Sequence, residues 1–263
     1  MVTSGVPQVS VLAPFLFSAH MGSLKPHNQQ THMTKYADDI VCVIPVLNTA
    51  NITQLVSEEI DHVRTWCQLN GLQLNTGKTK VMIPKKSTVP TPRFVNPEET
   101  LALKILGLTY TADLKWDTQV ESVCKKASQR IFILKKLKYL VTRNDLIKLY
   151  NTMILSLLEY NAPVMVGLNA KNTEKIEKVR KRCHRIICGF ECDCNVLTPV
   201  SARRLQQATK LFHSMTHPNN LLHYLIPQTL PRTGHYNVET MHTSRRLQAF
   251  IPYMSIHLNR QHL

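Results

Sequence analysis

Acidic residues are scarce in this chain of 263 residues, where seventeen Asp and Glu stand against thirty-two Lys and Arg, a net charge of +15 at neutral pH. Long apolar runs are missing too. The richest stretch, Met153 to Leu168, is broken by Glu159, Asn161 and Pro163, which excludes a membrane-spanning helix there and gives no membrane partner. The seven cysteines follow no regular spacing, so they exclude a disulfide framework and read as reduced thiols of an intracellular protein. No internal repeat is present, and Met1-Val2-Thr3-Ser4 leads into the first motif with nothing resembling a targeting segment. What is there is ordinary globular material, 43% hydrophobic with a mean hydropathy of −0.15. Disorder is therefore not the default, and the length allows one good core or two small ones.

The charge is unevenly spread. Residues 1–119 hold ten basic and nine acidic side chains, residues 120–190 fifteen and five, and residues 191–263 seven and three. A nearly neutral first half followed by a strongly basic segment suits a protein that needs local negative charge for a cation and a positive track for phosphates. A generally basic, solvated surface would give the same total.

The first half holds an adjacent carboxylate pair in Lys35-Tyr36-Ala37-Asp38-Asp39-Ile40-Val41-Cys42-Val43-Ile44. The β-branched, apolar run after the pair reads as the buried second strand of a hairpin. Like charges at such a place repel, and are tolerated where a cation or a water-exposed turn compensates. Asp38 and Asp39 are thus candidate metal ligands, with oxygens suited to Mg²⁺, which takes one or two carboxylates together with substrate phosphates. A solvated turn is the other explanation.

Around the hairpin the pattern predicts α+β structure. Residues 5–10 read as a loop, and Val11 to Leu24 as a helix with Pro14 in its first turn, packed under the hairpin through Val11, Leu12, Phe15, Leu16, Ala19 and Leu24. Asn48, Thr49 or Asn51 caps a second helix that ends near Asn70, with Gly71 as its stop. Leu72 to Leu74 and Lys80 to Ile83 are expected as short strands joined by Asn75-Thr76-Gly77-Lys78, and Pro84 to Pro97 as an exposed loop. A further strand pair is expected over Leu101 to Leu108, with a turn near Ala112-Asp113.

From Asp117 the period becomes helical. Val120, Val123, Cys124, Ala127, Ile131, Leu134 and Leu137 form an apolar stripe, while Lys125, Lys126, Arg130, Lys135, Lys136 and Lys138 occupy the remainder. Leu146 to Leu158 and Glu174 to Ile187 give two more helices, the last stopped by Gly189. Helices apolar on one face and basic on the other suit a small bundle lying against nucleic acid, or one merely kept soluble. After Glu191 the signal weakens to one amphipathic stretch near Ser244 to Ile256.

Several motifs, in their order and spacing, resemble the reverse transcriptases of non-LTR, LINE-type retrotransposons. They are Gly5-Val6-Pro7-Gln8-Val9-Ser10, the Tyr36-Ala37-Asp38-Asp39 box, Trp66-Cys67-Gln68-Leu69-Asn70-Gly71-Leu72, Asn75-Thr76-Gly77-Lys78-Thr79 and Leu106-Gly107-Leu108. The resemblance implies a partial polymerase palm over residues 1–116, a basic helical thumb over 117–190, and a region of uncertain structure over 191–263. It implies RNA-directed DNA polymerase chemistry, the Mg²⁺-dependent addition of deoxynucleotides to a DNA primer on an RNA template. Asp38 then matches a metal-binding aspartate, Asp39 its more peripheral neighbour, and Lys78 a lysine that protonates the departing pyrophosphate. Pro7 and Gln8 lie against template and incoming nucleotide, and Ser10 at the start of the following helix. Tyr36 stands with them, and Ala37 takes a small position beside the primer terminus. The implied partners are an RNA template, an RNA–DNA duplex to which Lys125, Lys126, Arg130, Lys135 and Lys136 hold, and the incoming nucleotide. The implied location is the nucleus, since such an enzyme has to reach chromatin.

Two departures qualify the match. The family has a strand before the Gly-x-Pro-Gln loop that bears the partner aspartate of the two-metal site, and this sequence starts four residues before Gly5. The family's loop reads Pro-Gln-Gly-Ser, and here Val9 replaces the glycine, a β-branched residue where positive φ or close backbone approach is wanted. Both lead to the expectation that this chain alone is inactive, a nucleic-acid-binding remnant or a decayed copy. Cys183, Cys188, Cys192 and Cys194 beside His184 are poorly spaced for zinc, His213 and His217 lack an acidic third ligand, and Trp66 and Trp116 read as core anchors.

Overall fold

A proline is tolerated in a helix only where its missing N–H is not needed, and Pro14 accordingly opens helix α1, Ala13–Met21. The computed structural model describes residues 11–45, 52–84, 97–189, 196–238 and 244–261. They fall into two units, residues 1–101 and 102–263. Asn48, Thr49 and Asn51, offered as caps, and nearly all of the Pro84 to Pro97 loop lie outside the described residues.

In the first unit, β1 (His32–Tyr36) and β2 (Asp39–Val43) pair antiparallel, with Tyr36 opposite Asp39, so the turn between them has two residues. Helix α2 runs Ile52–Leu69 and stops where Gly71 takes φ +69° and the Leu72 N–H reaches back to the Cys67 carbonyl at 2.8 Å. Met21, Leu24, Val63 and Cys67 form the core here, joined by Phe17, Met33, Ile40, Trp66, Leu72 and Leu74.

Three expectations change. Val11, Leu12, Phe15, Leu16 and Ala19 do not pack under the hairpin but are exposed, and α1 instead buries Met21 beside Phe17. Its sequence is apolar on nearly every side, so helical period alone did not select a face. Strand β2 is half-buried rather than buried, and among the described residues its hairpin has two strands only. Leu72 to Leu74 form no strand. They insert Leu72 and Leu74 into the core, and β3 (Lys80–Val81) pairs in parallel with β4 (Glu98–Glu99).

The second unit begins with a hairpin of β5 (Ala102–Ile105) and β6 (Leu108–Thr111). Its turn is at Leu106-Gly107, φ +47° and +83°, the signature of a type I′ hairpin turn, and not near Ala112-Asp113. Leu108 is buried in the core of the helices that follow, and the Gln119 side chain accepts from the Thr109 N–H at 3.1 Å. This hairpin therefore goes with the helices after it.

Helix α3 (Asp117–Leu137) buries Val120, Ala127, Ile131 and Leu134. Thr142 caps α4 (Arg143–Leu149), which passes through a π-helical stretch, Tyr150–Leu155, into the short α5 (Ser156–Leu158). Asn169 caps α6 (Ala170–Cys188), which ends at Gly189 with φ +81°. These helices share one core, and Trp116 packs against it. Beyond residue 195 the structure adds α7 (Val200–Thr216), a 3₁₀ turn at His223–Leu225, α8 (Ser244–Gln248) and α9 (Phe250–Gln261). Ala208, Phe212, Met254 and Leu258 from these helices form a second core with Val166. Among the described residues no helix is long and apolar enough to cross a membrane.

Candidate functional site

The sequence Tyr36-Ala37-Asp38-Asp39 forms the tip of the β1–β2 hairpin, and all four residues are exposed. Of the two turn residues Ala37 has positive φ, +50°, and Asp38 does not, the pattern of a type II′ turn. Glycine is the usual occupant of that place; an L-residue in the left-handed region costs about 1–2 kcal/mol. Among the described residues neither Asp38 nor Asp39 forms an ion pair. Both carboxylates stand in water, Asp38 in the turn and Asp39 at the exposed start of β2, so burial does not force a cation on them. The donor set nonetheless fits a hard divalent cation such as Mg²⁺, which Asp38 and Asp39 would hold through exposed carboxylate oxygens. Among the described residues no group of three His, Cys, Asp or Glu is placed to hold a metal.

A two-stranded hairpin is marginal in water, and this one is held from one face. Met33, Lys35, Ile40 and Cys42 share that face, by the register Met33 with Cys42 and Lys35 with Ile40. Met33 and Ile40 enter the core, while the Lys35 ammonium donates to the carbonyls of Met21 at 2.5 Å and Leu24 at 2.8 Å. Met21 is the last residue of α1 and Leu24 lies in the turn just after it, so the ammonium sits at a helix C-terminus, where positive charge is favourable. Burial, with the nearby Lys25 charge, holds the Lys35 ammonium below the ordinary lysine pKa.

Glu59 is buried on α2 and accepts the backbone N–H groups of His27 at 3.1 Å and Asn28 at 3.4 Å, tying the segment before β1 to the helix. The His62 ring adds a contact of 2.9 Å to the Lys25 carbonyl. Burial, together with the Glu59 charge, pushes the Cys42 thiol up to about 11. Sequence reasoning missed both Lys35 and Glu59. A signal existed for the second: with Ile52, Val56, Val63 and Cys67 it falls on the buried stripe of α2, where a carboxylate has to find donors.

Lys78 is exposed in a separate turn of the same unit, in which its N–H donates to the backbone and side-chain oxygens of Asn75, both at 3.2 Å. Pro7, Gln8 and Ser10 lie outside the described residues. The structure therefore gathers Tyr36 to Asp39 and leaves Lys78 in a turn of its own.

In the second unit the basic side chains divide into two groups. Arg130 is half-buried and donates to the Met153 carbonyl at 2.6 Å, inside the π-helical stretch, so it braces the bundle. Arg180 binds Glu177 at 2.5 Å and the Leu197 carbonyl at 2.8 Å, Arg203 grips Glu159 with both branches of its guanidinium, and Lys175 meets Glu121 at 2.8 Å. Lys125, Lys126, Lys135 and Lys136 are exposed on α3, and none forms an ion pair among the described residues. These lysines, like the exposed Lys171, Lys181 and Arg182 of α6, carry positive charge that no ion pair among the described residues neutralises.

Residues 1–110 match the family described as reverse transcriptase (RNA-dependent DNA polymerase). The chain is similar to the "RNA-directed DNA polymerase from mobile element jockey" of Drosophila funebris, 24% identical over 246 residues, which cover 84% of this chain and 26% of that protein. It is also similar to the "Putative 115 kDa protein in type-1 retrotransposable element R1DM" of Drosophila melanogaster, 29% identical over 127 residues, 46% of this chain and 12% of that protein. The chain thus spans about a quarter or less of the curated relatives it matches. No solved structure matches it.

Proposed function

We propose that the chain is a reverse transcriptase segment of the non-LTR retrotransposon kind, that its first unit is part of a polymerase palm and that the helices from Asp117 are a thumb. The observation that carries the reading is the exposed Asp38–Asp39 pair at the tip of a hairpin braced by Lys35, inside the stretch that matches the family. Asp38 and Asp39 would hold a divalent cation, which when bound supplies activation of a primer 3′-hydroxyl and neutralises the departing pyrophosphate. Ala37 keeps the tip narrow beside the primer terminus, and Tyr36, 65% exposed, presents a ring on the same tip. Lys78 is a proton donor to pyrophosphate, and Pro7, Gln8 and Ser10 form the template side. The lysines of α3 hold the phosphates of an RNA template or an RNA–DNA duplex.

A second reading, binding without catalysis, is favoured by Val9, which stands where the family's loop has glycine. One experiment separates the two: primer extension on an RNA template with Mg²⁺, wild type against Asp38→Ala, beside a native gel of the same duplex. Extension lost in Asp38→Ala establishes a metal-dependent polymerase segment. A salt-sensitive shift that survives the substitution, without extension in either protein, establishes the binding reading. Neither signal refutes both.

A further inference from the structure

The exposed side of α3 holds more than charge. Phe132 is 59% exposed and Tyr139, just beyond the helix, 86% exposed, both far above what an ordinary packed aromatic shows. Lys125, Phe132, Lys136 and Tyr139 follow one another at spacings of seven, four and three, so they line one stripe, well away from the stripe of Val120, Ala127, Ile131 and Leu134 that is buried. The chain stays helical through Lys138, and Leu140 and Val141 both bond the Leu137 carbonyl, so Tyr139 sits in a fixed turn. Each ring has a lysine over it: the Lys136 ammonium lies 4.8 Å from the Phe132 centroid and that of Lys138 5.5 Å from Tyr139. The acidic residues of this helix, Asp117 and Glu121, are confined to its first turns.

We propose that this stripe is a stacking platform for single-stranded nucleic acid, with unpaired bases on Phe132 and Tyr139 and phosphates on Lys125, Lys135, Lys136 and Lys138. The inference rests on the nucleic-acid reading above and deepens it, because duplex phosphates need only the lysines, whereas an exposed ring gains nothing from a base already paired. The spacing fits. Seven residues at a rise of about 1.5 Å separate the rings by roughly 10 Å, about three stacking steps of a strand that advances 3.4 Å per nucleotide. The lysines above the rings do not obstruct this, since an exposed cation–π contact is weaker than base–aromatic stacking, and the ammonium released from the ring moves to a phosphate.

The test uses the full chain with 2-aminopurine-labelled single-stranded RNA, the same strand as DNA, and an RNA–DNA duplex of equal length. Phe132→Ala and Tyr139→Ala should each weaken single-strand binding about fivefold or more and abolish the fluorescence quenching that reports stacking, while duplex binding changes less than twofold. Tyr139→Trp should retain both signals, and unchanged circular dichroism confirms that these exposed sites do not affect folding. RNA and DNA strands bound alike would assign recognition to base faces and phosphates; RNA alone would add the 2′-hydroxyl, with the platform intact in either case. If the alanine variants bind single strands like wild type while Lys136→Gln weakens every nucleic acid, the platform is refuted and the basic-face reading stands. Binding to no nucleic acid by the wild type refutes both. Concentration-dependent self-association abolished by Phe132→Ala and Tyr139→Ala, with nucleic-acid binding unchanged, would make the patch a contact between copies and overturn the proposal.

Discussion

Lys35→Met removes the ammonium that joins the carboxylate hairpin to α1 and keeps its aliphatic stem. The side chain donates to two carbonyls, at 2.5 and 2.8 Å. The Met21 oxygen retains a second donor, the Leu24 N–H at 3.3 Å, so the larger loss falls on the Leu24 oxygen. A hydrogen bond from a charged donor contributes about 1.5–3 kcal/mol net, and the charge at a helix C-terminus about 0.3–1 kcal/mol more. Burial of the ammonium opposes both, as its lowered pKa records. The balance is about 2 kcal/mol, close to thirtyfold in the folded population of this unit. With Trp116→Phe as background, Trp66, which packs in the same core and lies 5.8 Å from the His20 ring, reports urea unfolding of the unit. The pH dependence has a definite sign. Between the lowered Lys35 pKa and the ordinary 10.5, the unfolded chain binds a proton that the folded chain does not, so wild-type stability relative to Lys35→Met rises with pH across that window. The Cys42 thiol titrates in both proteins and cancels in the comparison. A loss below about 0.5 kcal/mol, or a difference that falls with pH, would refute the reasoning.

Glu59→Gln should destabilise the first unit by about 1–2 kcal/mol, since one of two backbone donors loses a charged acceptor. The same change should lower the midpoint for Cys42 alkylation from about 11, because the Glu59 charge is one of the two causes that raise it; an unmoved midpoint would assign the shift to burial alone. Arg204 is 3% exposed, with Nε and one Nη lacking partners among the described residues, while Glu159 and Glu177 already pair with Arg203 and Arg180. Arg204→Met should therefore leave the melting temperature unchanged or raise it, a gain of up to about 2 kcal/mol, and a loss above about 1 kcal/mol would show that the buried charge is compensated.

Local features were legible wherever a single period or turn decided them. The hairpin followed from a β-branched run beside a short turn, α3 from its apolar stripe, and the ends of α2 and α6 from Gly71 and Gly189. Legibility failed where a partner distant in sequence made the choice. The β3 strand pairs with residues eighteen positions on, Lys80 with Glu98, and no periodicity within the strand encodes that. Helix α7 was missed because Arg204 interrupts the stripe of Val200, Ala208, Phe212 and Met215, so a buried helix reads as polar. For the candidate site, residue type and spacing single out Asp38 and Asp39, and the structure exposes both at one hairpin tip. Type and spacing do not single out Lys35, since its role exists only once the end of α1 lies beneath β1.

That dependence decides how the carboxylate tip responds to change. The tip is exposed, with one turn residue in the left-handed region, so little within the turn fixes the direction of the two aspartates. Their placement is set instead by the buried face, where Met33, Ile40 and Lys35 meet the end of α1 and where Glu59 holds the preceding segment to α2. Substitutions at these residues should thus impair cation binding at Asp38 without altering either carboxylate, whereas equal changes on the outer face, at Thr34 or Val43, should leave it intact.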